Sequence, residues 1–280
     1  MPLPPHTSLA GAIGHVFVIA YQESTERLEA ALRQTGLPCE VLRQELQSTG
    51  EDMSPSYRCL LNHSRAWQRA SRATKPTLIV EADFVPVQHL GQLPLPFTTQ
   101  QPNMGIAWLY LCAPQLYSIS SEGYAEGFST SMVAYIITPQ SAACLLELVA
   151  DIERKFGQSY STWDSTLDRF LRDRGFKNYI PFRNYGEHGG RPNPEHRQHG
   201  LSTAHRADVL YGKLAFMPLY AIEGNNTSYT TYFISRFQAR LHGLGRLLSG
   251  RFLRLKLLRH SKAPLRLLSF TIRRQLSAQL

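Results

Sequence analysis

The chain sorts into short continuous apolar runs and longer stretches in which apolar residues return every three or four positions. "HVFVIAY" (15–21) is apolar after its first residue, the pattern of a strand buried on both faces. "STERLEAALRQTG" (24–36) has helical spacing, with Ser24 or Thr25 placed to cap it and Gly36 to stop it. "CEVLRQ" (39–44) predicts a second strand, so the chain opens as a β-α-β unit with parallel strands. A helix is predicted over 54–71, with Leu60, Ser64, Trp67 and Ser71 on one face and His63 beside them. Further strands follow in "KPTLIVEAD" (75–83), "IAWLYLCA" (106–113) and "STSMVAYIIT" (129–138), and helices at 139–156 and 161–175. "YGEHGGRPNPEHRQHG" (185–200) has no period and reads as a long loop, a length usually tied to function or disorder.

This alternation predicts an α/β fold: a mostly parallel, Rossmann-like sheet with helices on both faces. Residues 1–14 form a flexible N-terminus, 15–222 the α/β domain, and 223–280 a basic amphipathic helical tail. Ligands of such sheets sit at the carboxyl ends of the strands.

Charge sharpens the division. The 280 residues carry a net charge of +9. No acidic residue follows Glu223, yet eleven Lys and Arg lie between Arg236 and Arg274, leaving 19 basic against 21 acidic residues elsewhere. Basicity therefore belongs to the tail. There, "RFQARLHGLGRLLS" aligns Phe237, Leu241, Leu244 and Leu248 on one helical face among arginines. Basic amphipathic helices favour anionic membrane surfaces, and packing of the tail on its own domain is the competing reading. Phosphate binding needs charge without a leucine face, so nucleic acid is not expected as a partner. Cys39, Cys59, Cys112 and Cys144 show no paired or zinc-binding spacing, which predicts reduced thiols in a cytosolic protein. No signal peptide and no run of ~20 apolar residues is found, so the expected location is cytoplasmic, peripheral on the inner face of the plasma membrane.

"LIVEADFVPV" (78–87) ends a buried strand on Glu81 and Asp83. Residues two apart in an extended chain point the same way, so the two carboxylates would converge. Paired carboxylates suit a hard divalent cation that also takes phosphate oxygens.

The stretch "SYRCLLNHSRAWQRASRATKPTLIVEADFVPV" resembles glycosyltransferase family 25, the lipopolysaccharide-type glycosyltransferases. The matching residues are Cys59, His63, Trp67, Glu81 and Asp83. Arg27 after the first strand, Ala134 and Tyr135 in "EGFSTSMVAYIITPQSAACLL", and Asp164 in "STWDSTLDRFL" match further blocks in order, over roughly 15–220. Arg58, Asn62 and Ala82 depart from the family's Gly, Ser and Asp.

The resemblance implies a GT-A-like fold and an inverting hexosyltransferase. It would use a UDP-sugar donor and a lipopolysaccharide or other envelope glycan or glycolipid acceptor. The alternative it leaves open is a catalytically inactive sugar- or nucleotide-binding relative. Asp164 is the candidate general base, although Ser161 to Asp164 also fits a capping box. His63, Glu81 and Asp83 are the candidate donor-site residues. Glu81, Asp83 and His199 are the candidate metal ligands. Asp168, one turn after Asp164, is expected to pair with Arg172.

Overall fold

The computed structural model describes residues 7–44, 53–191, 205–224 and 226–277. A short helix α1 (Leu9–Ala12) leads into β1 (His15–Ala20), α2 (Glu26–Gln34), β2 (Glu40–Arg43), α3 (Pro55–Ala70) and β3 (Thr77–Glu81). Next come β4 (Phe84–Pro86), β5 (Met104–Trp108), β6 (Gln115–Ile119), β7 (Ala125–Phe128) and β8 (Ala134–Ile137). Helices α4 (Pro139–Phe156) and α5 (Trp163–Arg172) precede β9 (Lys177–Ile180), β10 (Gly186–His188), β11 (Ile222–Glu223) and β12 (Asn226–Thr227). Three helices, α6 (Tyr229–Leu248), α7 (Leu255–His260) and α8 (Pro264–Leu276), complete the chain.

Eight strands form one sheet in the order β2-β1-β3-β8-β5-β9-β7-β6. The parallel opening is as the sequence predicts, with β1 parallel to both β2 and β3. Beyond β3 the sheet is mixed: β8 lies antiparallel between β3 and β5, β9 is parallel to β5, and β7 and β6 continue antiparallel. The apolar period shows which residues are buried but carries no information on strand direction.

Side-chain alternation divides the core in two. Val16, Val18, Leu78 and Val80 join α2 residues Leu28 and Leu32 on one face. Phe17, Ile19 and Ile79 meet Leu60 and Trp67 of α3 and Leu145 of α4 on the other. Helices thus cover both faces, as expected. Ser54 caps α3 by accepting the Tyr57 N–H at 3.1 Å. Thr138 and Ser141 form a reciprocal capping box on α4, with Pro139 in the first turn. The capping box predicted at Ser161–Asp164 does not form: Thr162 occupies the cap position without a side-chain bond.

The segment after 223 packs on the same body. Phe252, Leu253 and Leu267 are buried in the α3–α4 side of the core. Buried Arg274 of α8 grips Asp208 through both terminal guanidinium nitrogens, with Nη2 to Oδ1 at 2.8 Å. Packing on the domain, one of the two sequence readings of the tail, is therefore present.

Candidate functional site

Glu81 is the last residue of β3 and lies two after Ile79, so its side chain leaves the sheet on the α3 side. Cys59 and His63 stand one turn apart on α3 and face it. His63 Nε2 lies 3.2 Å from Glu81 Oε1, and the Cys59 thiol donates to the same oxygen at 3.9 Å. Among the described residues these three are the one group of metal-capable side chains whose ligand atoms all lie within 4.8 Å of one another.

A buried network orients the trio. Trp67 Nε1–H donates to Tyr135 Oη at 2.8 Å, and Tyr135 Oη lies 2.8 Å from His63 Nδ1. With the indole N–H as donor, the phenol hydrogen is free to go to Nδ1, and Nε2–H then donates to Glu81. The other tautomer would present Nε2 as a lone-pair ligand while Nδ1–H donates to Tyr135, the usual support of a metal-bound histidine. Burial raises the Tyr135 phenol well above its ordinary value, so it stays protonated. Trp163 packs edge-on against His63, with ring centroids 5.3 Å apart.

Asp83 takes a different course. The chain turns at Ala82–Asp83 before entering β4, so the extended geometry that would make the two carboxylates converge does not continue past Glu81. Strand β4 pairs antiparallel with β10, which brings His188 opposite Phe84. His188 Nε2 meets Asp83 Oδ2 at 2.8 Å. Burial alone would raise the Asp83 carboxyl, but the His188 and Arg206 charges outweigh it and hold the group below the usual range. Burial alone would depress His188, yet the Asp83 carboxylate pushes it up to about 9. Arg206 also donates to the His188 and Gly190 carbonyls at 3.0 and 3.1 Å.

Two glycines permit this approach. A Cβ at Gly190 would stand 2.4 Å from Asp83 Oδ2, and one at Gly189 would stand 2.9 Å from the Asp83 carbonyl oxygen. The first six residues of the predicted loop therefore include an ordered strand and a tight glycine contact behind the acidic turn.

Glu81, Ala82 and Asp83 open onto a cleft of about 310 Å³ at the carboxyl ends of β1 and β3. Arg58, Cys59 and Asn62 of α3 form its opposite wall, and Tyr21 and Glu23 its end. Both predicted carboxylates thus reach one cleft, each with its own histidine. Asp83 Oδ1 and Asn62 Oδ1 are buried without a hydrogen-bond partner among the described residues. Unpartnered buried oxygens are costly and suit a cation. Glu81, Asp83 and Asn62 offer oxygen, while Cys59 and His63 add softer donors that Mn2+ tolerates better than Mg2+. The residues present fit a divalent ion.

Asp164 is half-buried in the first turn of α5, where its Oδ1 accepts the Ser165 N–H at 2.8 Å, and it does not line the cleft. Asp168 pairs with Arg172 at 3.0 Å as expected. His199 lies outside the described residues. The sequence reading singled out His199 of the same loop rather than His188, and it missed Arg206. Neither position has a local signal, because both depend on pairing across about a hundred residues.

No family model matches the chain, and no curated protein matches it. Solved structures resemble its fold, among them two glycosyltransferases. One is a glycosyltransferase involved in glycosylation of the major capsid of PBCV-1, with TM-score 0.39, 8% identity and coverage of 59% of this chain and 80% of that one. The other is a mutant Drosophila β-1,4-galactosyltransferase 7 in complex with manganese, UDP-Gal and xylobiose. Its TM-score is 0.35 and its identity 11%, with 66% of this chain and 74% of that one covered. At these TM-scores neither likeness assigns an activity to this chain.

Proposed function

We propose that this chain is a divalent-cation-dependent glycosyltransferase of GT-A-like fold that takes its sugar from a nucleotide diphosphate donor. The observation that carries this reading is the cleft at the ends of β1 and β3, where Glu81 and Asp83 face Arg58 and Asn62. An ion held by Glu81, His63 and Cys59, with Asp83 lining the same cleft, would neutralise a departing diphosphate. Arg58 adds a fixed cation for phosphate oxygens. Tyr135 and Trp67 hold His63, and His188 with Arg206 keeps Asp83 ionised.

The finer reading is an inverting transfer of a hexose, galactose or similar, from a UDP-sugar to a lipopolysaccharide or other envelope glycan. In that step the bond from the anomeric carbon to the diphosphate oxygen breaks as the acceptor oxygen attacks from the opposite face. The acceptor proton goes to a carboxylate base; Asp164, the candidate from sequence, stands outside the cleft and would serve only an acceptor that reaches it there. The departures Arg58, Asn62 and Ala82 favour one rival, a silent relative that binds a nucleotide-sugar without turning it over.

The test is a panel of UDP-sugars with Mn2+, read by thermal shift and by release of UDP. Stabilisation together with sugar release supports transfer, and Glu81→Ala should remove release. Stabilisation with no release under any acceptor supports the silent relative. A panel that neither stabilises nor turns over would sink both. Retention of anomeric configuration in the product would overturn the inverting step.

A further inference from the structure

We infer that the C-terminal helices form a docking face for an anionic lipid surface. Helix α6 is turned inside out. Its arginines point into the protein: Arg236 donates to buried Glu187 at 2.6 Å, Arg240 to the Gln275 carbonyl at 2.6 Å and Arg246 to the Pro114 carbonyl at 3.4 Å. Ala239 and Gly243 make the close contacts on that inward side. The opposite side carries Tyr229, Phe233, Phe237, Leu241 and Leu248, between 49% and 86% exposed. These positions share one face over a helix about 30 Å long. Helix α8 repeats the arrangement, with Leu267, Thr271 and Arg274 inward and Leu265, Ile272 and Leu276 outward.

Charge identifies what covers these faces. Of the eleven cations from Arg236 to Arg274, Arg236, Arg240, Arg246 and Arg274 are bound inward. The other seven are exposed, in the 251–262 segment and at Arg266 and Arg273 of α8. None of these seven forms a salt bridge among the described residues, and no acidic residue lies beyond Glu223 to balance them. A second copy docked through this surface would bring two uncompensated positive sets together. An anionic bilayer supplies both an apolar layer and the opposite charge. Among the described residues no helix is long and apolar enough to cross a membrane, so the helices would lie in the interface.

The experiment is flotation of the full chain with vesicles of pure phosphatidylcholine and of phosphatidylcholine containing about a third phosphatidylglycerol, over a salt series. Binding should require the anionic lipid and weaken with salt. Replacing Arg251, Arg254 and Arg259 by Gln should lower affinity roughly fivefold per charge. Phe233→Ser with Phe237→Ser should abolish binding while leaving the melting temperature within a degree or two, since both rings are 64% exposed. Equal binding to both vesicles, or undiminished binding by the Phe variant, overturns the inference. So does a concentration-dependent dimer that the same substitutions dissolve.

Discussion

Asp208 should be the electrostatic lock that holds α8, and with it the basic segment, on the domain. Its carboxylate accepts Arg274 Nη2 at 2.8 Å, Gln275 Nε2 at 2.6 Å, Asn184 Nδ2 at 3.0 Å and the Val209 N–H at 2.9 Å. Burial alone would raise its pKa, but Arg274 and these donors bring it from 3.8 down to about 2. That depression is worth about 2 kcal/mol at neutral pH. Because the folded value lies below the unfolded one, the contribution is complete above pH 3.8 and is lost as pH falls toward 2. Asp208→Asn leaves the fully buried Arg274 guanidinium without its anion, a change that typically costs ~3–5 kcal/mol. Urea unfolding followed by tryptophan fluorescence measures the loss, with Arg274→Met and the double variant completing a cycle. The two losses should couple by about 2 kcal/mol or more. The wild-type excess stability over Asp208→Asn should shrink between pH 4 and pH 2. Losses that add within ~0.5 kcal/mol, or a pH-independent difference, would refute the lock.

Tyr135→Phe strands Trp67 Nε1 and His63 Nδ1 in the core, so it should destabilise by ~1–3 kcal/mol in the same urea assay. A change below ~0.5 kcal/mol would show that the network does not hold His63. Gly190→Ala forces a methyl to within 2.4 Å of Asp83 Oδ2 and should weaken Mn2+ binding by calorimetry about tenfold or more, a ~1.4 kcal/mol effect. Wild-type affinity would remove Asp83 from the cation site. Phe252→Ala empties a 1% exposed position beside Arg274 and should cost ~3–5 kcal/mol, unlike the exposed rings of α6. A neutral result would mean that the C-terminal segment is not part of the core.

How far the sequence reveals this molecule depends on how far each contact reaches. β1, β3 and β5 are apolar on both faces and stand out. β6, β7 and β9 do not, since "QLYSI", "AEGF" and "KNYI" are short and mixed. Gly127 in β7 looks like a strand breaker. It is required there, because a Cβ would meet the Gln115 carbonyl at 2.4 Å across the β6–β7 pair. The Cys59–His63–Glu81 group was half legible: helical spacing aligns the first two, and a strand end presents the third. The Asp83–His188 contact was not legible, because it needs the β4–β10 pairing first.

The C-terminal segment shows where pattern reading stops. A leucine face on a helix ordinarily turns inward, and in α6 it turns out. The reason lies elsewhere in the chain, in Glu187, which would be a buried, unpaired acid without Arg236. Leaving a buried charge alone costs ~3–5 kcal/mol, and Asp208 makes the same demand on Arg274. Half-exposing five large apolar side chains costs, at ~1.5–3 kcal/mol for each full burial, an amount of the same order. Rotating α6 by half a turn would therefore gain little for the isolated chain, since the apolar burial won would be offset by the broken Arg236–Glu187 pair. Under the lipid-docking inference a bilayer would remove the opposition between the two terms, because it would bury the apolar face while Glu187 and Asp208 keep their arginines.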